Sequence, residues 1–188
     1  MNWDRGSSIA LSLAALAVAV VLVRREFFPS PSSTPLSGNA GFEPTWREAL
    51  PNGRLVGSPE APVVIVVISD LECPYCKLFH ESLRSIVASY PESVAYSFVH
   101  FPLPMHSNAL GAARLAECAS ESGRFAEALD FIFANQDSLG RRDWLWFAER
   151  IGMSLDPGAR QCLEAADTSE MIRRGVAAGR RMAAVGTP

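Results

Sequence analysis

The spacing of apolar positions changes character several times along the chain, and each change predicts a boundary. Ile9–Val23 (IALSLAALAVAVVLV) is an uncharged apolar run of 15 residues, and Ser7 and Ser8 extend it to 17. A bilayer-spanning helix wants about 20 residues and a signal-peptide core about 7–15, so the run is borderline. It is apolar on every face and a linker follows, which argues against a buried core helix. No A-x-A-like cleavage site follows; the chain continues Arg24-Arg25-Glu26-Phe27-Phe28. An uncleaved signal anchor over residues 1–28 is therefore favoured over a cleaved signal peptide. Arg5 precedes the run, but Arg24 and Arg25 follow it and mildly oppose export of what comes after. The chemistry argued below requires export and overrides that charge count.

Pro29–Gly41 (PSPSSTPLSGNAG) lacks an apolar period and reads as an extended tether over residues 29–41. The folded domain is expected over residues 42–188. Phe42, Trp46 and Leu50 recur every four residues, and Pro44 suits a first helical turn, so a short helix is predicted to pack there. Arg54–Gly57 reads as a short strand. Val63–Ile68 (VVIVVI) is a continuous β-branched run, the pattern of a central strand buried on both faces of an α/β sheet. From Tyr75 the period lengthens: Leu78, Phe79, Leu83, Ile86 and Val87 mark one helical face, ending near Tyr90-Pro91. Val94–Phe101 reads as another strand. From Ser107 to Val185 the pattern is helical, broken at Gly123, Gly140 and Asp156-Pro157-Gly158.

Composition narrows the class. Hydrophobic residues make up 48% and charged residues 20%, which excludes a mainly disordered chain. The formal net charge of −3 and scattered arginines, with Lys77 the only lysine, give no footprint for nucleic acid. The 188 residues suffice for one domain and an appendage.

The candidate chemistry lies at Asp70-Leu71-Glu72-Cys73-Pro74-Tyr75-Cys76. Two cysteines separated by two residues can close a small disulfide ring, here at the junction of a buried strand and a helix. Cys73 falls at the helix N-terminus, where unpaired N–H groups and the helix dipole favour a thiolate. Pro74 pre-sets the first turn and forfeits no hydrogen bond there. Cys76, one turn further in, is expected to be more buried and to resolve rather than attack. Structural zinc would want a second pair of ligands; Cys118 and Cys162 are far apart in sequence and His80 is poorly placed, so no metal or cofactor is assigned. A purely structural Cys73–Cys76 bridge would constrain little of the unfolded chain. Two inert buried thiols are the other bland reading, against which Pro74 argues. Asp70 and Glu72 beside the dithiol suit a proton shuttle or active-site tuning, and equally a strand-end turn. His80 reads as surface and His106 as a helix cap. Trp144-Leu145-Trp146-Phe147 reads as core, or as a face for unfolded substrates.

The stretch Val63–Cys76 (VVIVVISDLECPYC), followed by Lys77-Leu78-Phe79-His80, resembles the active-site strand and helix of DsbA-like thiol:disulfide oxidoreductases, a branch of the thioredoxin superfamily. Phe101-Pro102-Leu103 and His106-x-x-Ala109-x-x-Ala112-Ala113 are similar to the start of that family's inserted helical domain. Val185-Gly186-Thr187-Pro188 resembles the loop carrying its cis-proline. The resemblance implies an α/β thioredoxin-like fold with a helical insertion at about residues 105–185. It further implies Cys73 as nucleophile, Cys76 as resolving thiol, Pro74 and Tyr75 as tuning residues, and Thr187 and Pro188 on the substrate-binding surface.

With Cys73 and Cys76 assigned to the site, Cys118 and Cys162 are left as a candidate structural bridge, the alternative being two buried free thiols. The expected function is an oxidant of exported proteins in a bacterial envelope, anchored in the inner membrane or else periplasmic or secreted after cleavage. Its partners would be reduced or unfolded exported proteins and a membrane redox partner that resets the dithiol. A reductase or isomerase, or a redox-inert tethered binding module, are the alternatives. The resembled family continues past its cis-proline with a β-hairpin and a last helix. The chain is therefore expected to be C-terminally truncated, with Pro188 not held in a cis bond and a hydrophobic sheet edge unpaired.

Overall fold

The computed structural model describes residues 13–20, 41–165 and 168–188. Residues 13–20 are helical and exposed; the rest of the expected anchor, and the tether up to residue 40, lie outside the described residues. Among the described residues no helix is long and apolar enough to cross a membrane. The chain divides into two units, residues 1–42 and residues 43–188. The second unit carries everything below.

It begins with a short helix α1 (Trp46–Ala49), continued by a 3-10 turn over Leu50–Asn52. Phe42, expected to pack on this helix, is 81% exposed. The helix starts only at Trp46, so the four-residue repeat from Phe42 does not run through one helix. Strand β1 (Arg54–Val56) pairs antiparallel with β3 (Val94–His100), and β2 (Val63–Ser69) pairs parallel with β3, from Val63 opposite Val94 to Ser69 opposite His100. A parallel pair needs a long crossover, and helix α2 (Pro74–Ser89) supplies it.

The sheet order is β1-β3-β2, so the middle strand is β3 rather than the Val63–Ile68 run. A continuous apolar run reports helices on both faces; it does not report how many strands flank it. Accordingly β3 is buried from Ala95 to His100, whereas Val63 at the start of β2 is 52% exposed.

Strand alternation divides the core between the two faces. Val67, Tyr96 and Phe98 face one side, packed with Leu83 of α2 and with α3 (Ala109–Ser120), α4 (Phe125–Ala134) and α5 (Trp144–Ile151). Val66, Ile68 and Val99 face the other side with Ala49, Ala178 and Met182. Helix α6 (Pro157–Glu164) packs on α3, and the Cys118–Cys162 disulfide joins them. Helix α7 (Glu170–Arg181) lies against β3. Asp143 and Asp156 cap α5 and α6 by accepting from Trp146 and Ala159 N–H. Gly152, in the left-handed region at φ 79°, ends α5. In the aromatic cluster Phe147 is fully buried, while Trp144 and Trp146 pack around it half-buried.

Candidate active site

Cys73 is the N-cap of α2 and Pro74 its first helical residue, so the dithiol straddles the strand-to-helix junction. Both thiols are free and both are buried, Cys73 at 4% and Cys76 at 1% exposure. Cys73 Sγ donates to the Thr187 carbonyl at 3.6 Å, and the Asp70 N–H donates to Cys76 Sγ at 3.5 Å. The end of the chain thus returns to the dithiol. The Thr187–Pro188 bond is cis, contrary to the expectation that Pro188 could not be held so.

Burial pushes the Cys76 thiol above its ordinary range. The Asp70 N–H, Ser69 and Thr187 oppose that shift without cancelling it, and the neighbouring Cys73 adds to it. Cys76 is therefore a thiol at neutral pH and needs a proton acceptor before it can attack.

The carboxylates beside the dithiol organise backbone. Asp70, 1% exposed, accepts from the Glu72 N–H at 2.7 Å, the Leu103 N–H at 2.7 Å and His106 Nδ1 at 2.8 Å. Such charge-assisted bonds hold a buried carboxylate and pin the Phe101–Asn108 loop against the Cys-Pro-Tyr-Cys turn. Glu72 accepts from the backbone N–H and the side-chain amide of Asn108, at 2.6 and 2.8 Å. His106 is thus a ligand of Asp70 rather than only a cap.

Three participants escape a reading of the sequence. Gln136 donates through Nε2 to the carbonyls of Leu71 and Cys73, at 2.9 and 3.0 Å, fastening the helical region to the active-site turn. Asn108 donates to both carboxylate oxygens of Glu72. His80, read as surface, is 4% exposed and bonded to Asp130, with its ring tilted on Phe133 at 4.6 Å. The i, i+4 relation of Cys76 and His80 was the one available signal for the last. Tyr75, Leu78 and Met105 are 70%, 60% and 81% exposed around this turn.

A Cys-Pro-Tyr-Cys turn between a parallel strand and its crossover helix, with a threonine–cis-proline pair against the first sulfur, is the arrangement of a thioredoxin-class protein. A family model described as thioredoxin matches residues 49–188, and the chain belongs to that family. Within it the fold is DsbA-like. DsbA2 of Pseudomonas aeruginosa is 29% identical with a TM-score of 0.55, covering 71% of this chain and 75% of that one. The alpha-DsbA1 protein of Wolbachia pipientis is 24% identical with a TM-score of 0.61, covering 74% and 73%, and so supports the fold. A curated relative, Na(+)/H(+) antiporter NhaA 3 of Salinispora tropica, is 43% identical over 101 residues, 53% of this chain. The match spans 15% of the antiporter's length.

Proposed function

We propose that this chain is an envelope thiol:disulfide oxidoreductase that donates disulfides to exported proteins through Cys73 and Cys76. The observation that carries this reading is the asymmetric dithiol: Cys73 at the N-terminus of α2 and against Thr187, Cys76 behind it and held as a thiol by burial. A substrate thiolate attacks the Cys73 sulfur of the Cys73–Cys76 disulfide, expelling Cys76. The substrate's second thiolate then attacks the mixed disulfide and expels Cys73, leaving the dithiol. A membrane redox partner re-forms the bridge, and the two electrons pass to it. Exposed Tyr75, Leu78 and Met105 offer apolar surface to an unfolded segment, with Thr187 and Pro188 as the backbone edge. The partial likeness to antiporters supports work beside a membrane, as does the apolar run Ile9–Val23; no transport is assigned to this chain.

Oxidative refolding of a reduced exported protein tests the proposal. Cys73→Ser is expected to abolish turnover. Cys76→Ser is expected to accumulate mixed disulfides through Cys73, because the resolving thiol is missing. Full turnover by Cys73→Ser would defeat the assignment. Equilibration with glutathione sets the direction: a potential near the roughly −120 mV of DsbA supports an oxidant, and one near the roughly −270 mV of thioredoxin a reductant.

A further inference from the structure

Cys76 must lose a proton whenever it attacks and regain one whenever it is expelled. The two carboxylates nearest the dithiol are poor relays because their oxygens are engaged: Asp70 by Glu72, Leu103 and His106, and Glu72 by Asn108. His80, buried at 4% exposure, takes no part in that hydrogen bonding. His80 lies one turn beyond Cys76 on the buried face of α2, which also holds Leu83. Helical side chains lean back over the preceding turn, so the imidazole leans toward residue 76.

The hydrogen bonding of the ring is one-sided. Nε2 lies 2.8 Å from Asp130 Oδ1, and the same oxygen lies 3.0 Å from Arg84 Nε. A carboxylate paired with a guanidinium is an acceptor, so Nε2 carries the hydrogen and Nδ1 carries a lone pair. Nδ1 is buried with no hydrogen-bond partner. A buried polar atom without a partner is rare and calls for a reason. The groups recorded about the ring are Asp130 of α4 with its partner Arg84 of α2, Tyr96 of β3 at 6.3 Å between centroids, and Phe133 of α4; Cys76 stands one turn back on the same buried face of α2. Tyr96 is held in its neutral phenol form by burial, so it competes for no proton at neutral pH.

We propose that His80 is the proton acceptor and donor for Cys76, its tautomer set by Asp130. No direct hydrogen bond joins Nδ1 to Cys76 Sγ, so the proton travels through one water. In the resolving step the Cys76 S–H bond breaks and its proton reaches Nδ1, giving an imidazolium whose Nε2–H stays on Asp130. The Cys76 sulfur pair then bonds to Cys73, and the departing sulfur leaves with the electron pair of the broken S–S bond. In the reverse sense the imidazolium returns the proton to expelled Cys76. This inference rests on the thiol–disulfide exchange reading above.

An aryl disulfide reagent that releases a coloured thiolate separates the two. Cys73 attack releases one equivalent, and Cys76 attack on the resulting mixed disulfide releases the second. His80→Gln keeps a donor for Asp130 but has no basic atom. It is expected to leave the first phase unchanged and to slow the second at least about tenfold at neutral pH. The midpoint of the second phase should also move to higher pH, because that rate would then follow the ionisation of buried Cys76 alone. A second phase with wild-type rate and midpoint overturns the proposal alone; no reaction at Cys73 overturns the exchange reading with it. If the variant does not fold, nuclear magnetic resonance of the wild-type imidazole decides. The His80 ring resonances are expected to respond to the ionisation of Cys76 in the dithiol form and to show no such response in the disulfide form, where Cys76 carries no proton. Identical titrations in both forms overturn the proposal.

Discussion

Glu117 shows how one residue can tie three elements. Its carboxylate, 6% exposed on α3, is 2.6 Å from Arg54 Nη2 of β1 and 3.1 Å from His100 Nε2 of β3. Burial pushes this carboxyl up, but the hydrogen bonds from His100 and Arg54 outweigh it and hold it below the usual carboxylate range. A lowered folded-state value stabilises the fold above the unfolded value of about 4.3. That stabilisation is lost as the pH falls through the folded-state value. Glu117→Gln is expected to cost about 1–3 kcal/mol near neutral pH, by leaving buried donors poorly satisfied. Denaturant titrations at a series of pH values should show the difference narrowing below about pH 4. A difference that stays constant into acid would mean the site contributes by packing alone. The network was invisible in sequence because Arg54 and His100 lie 63 and 17 positions from Glu117.

At the scale of elements, the contact of α7 with β3 depends on two missing side chains. A Cβ on Gly175 would lie 2.6 Å from the His100 carbonyl oxygen, and one on Gly179 would lie 2.5 Å from the Phe101 ring. The four-residue spacing puts both glycines on the face turned to the sheet. Gly175→Ala must displace backbone, so it is expected to destabilise by about 1–3 kcal/mol despite the better helix propensity of alanine. Thermal unfolding should show it as a lowered Tm, and an unchanged or raised Tm would count against the close contact. Periodicity reveals α7 as a helix; which surface it covers depends on contacts distant in sequence.

For the whole molecule, the disulfide between Cys118 and Cys162 closes a loop of 44 positions that takes in α4 and α5. Constraining a loop of that size in the unfolded chain contributes about 4 kcal/mol in the chain-entropy treatment. The double variant Cys118→Ala/Cys162→Ala should show that loss in denaturant unfolding. A loss below about 1 kcal/mol would mean that the unfolded chain is already constrained there. The bridge matters to the site because Gln136, which holds the carbonyls of Leu71 and Cys73, stands on the loop it closes.

Strands, helices and the dithiol turn were legible in the sequence because each is a local pattern. The Val63–Ile68 run, the α2 periodicity and Cys-Pro-Tyr-Cys need only neighbouring residues to be recognised. The tertiary structure alone decided that β3 is the middle strand and that His80 is buried. It also set Asp70 on the Leu103–His106 loop and Thr187 against Cys73. Those facts depend on which surfaces meet across long stretches of chain. Local periodicity carries the direction a side chain faces along its own element, and carries nothing about what will cover it.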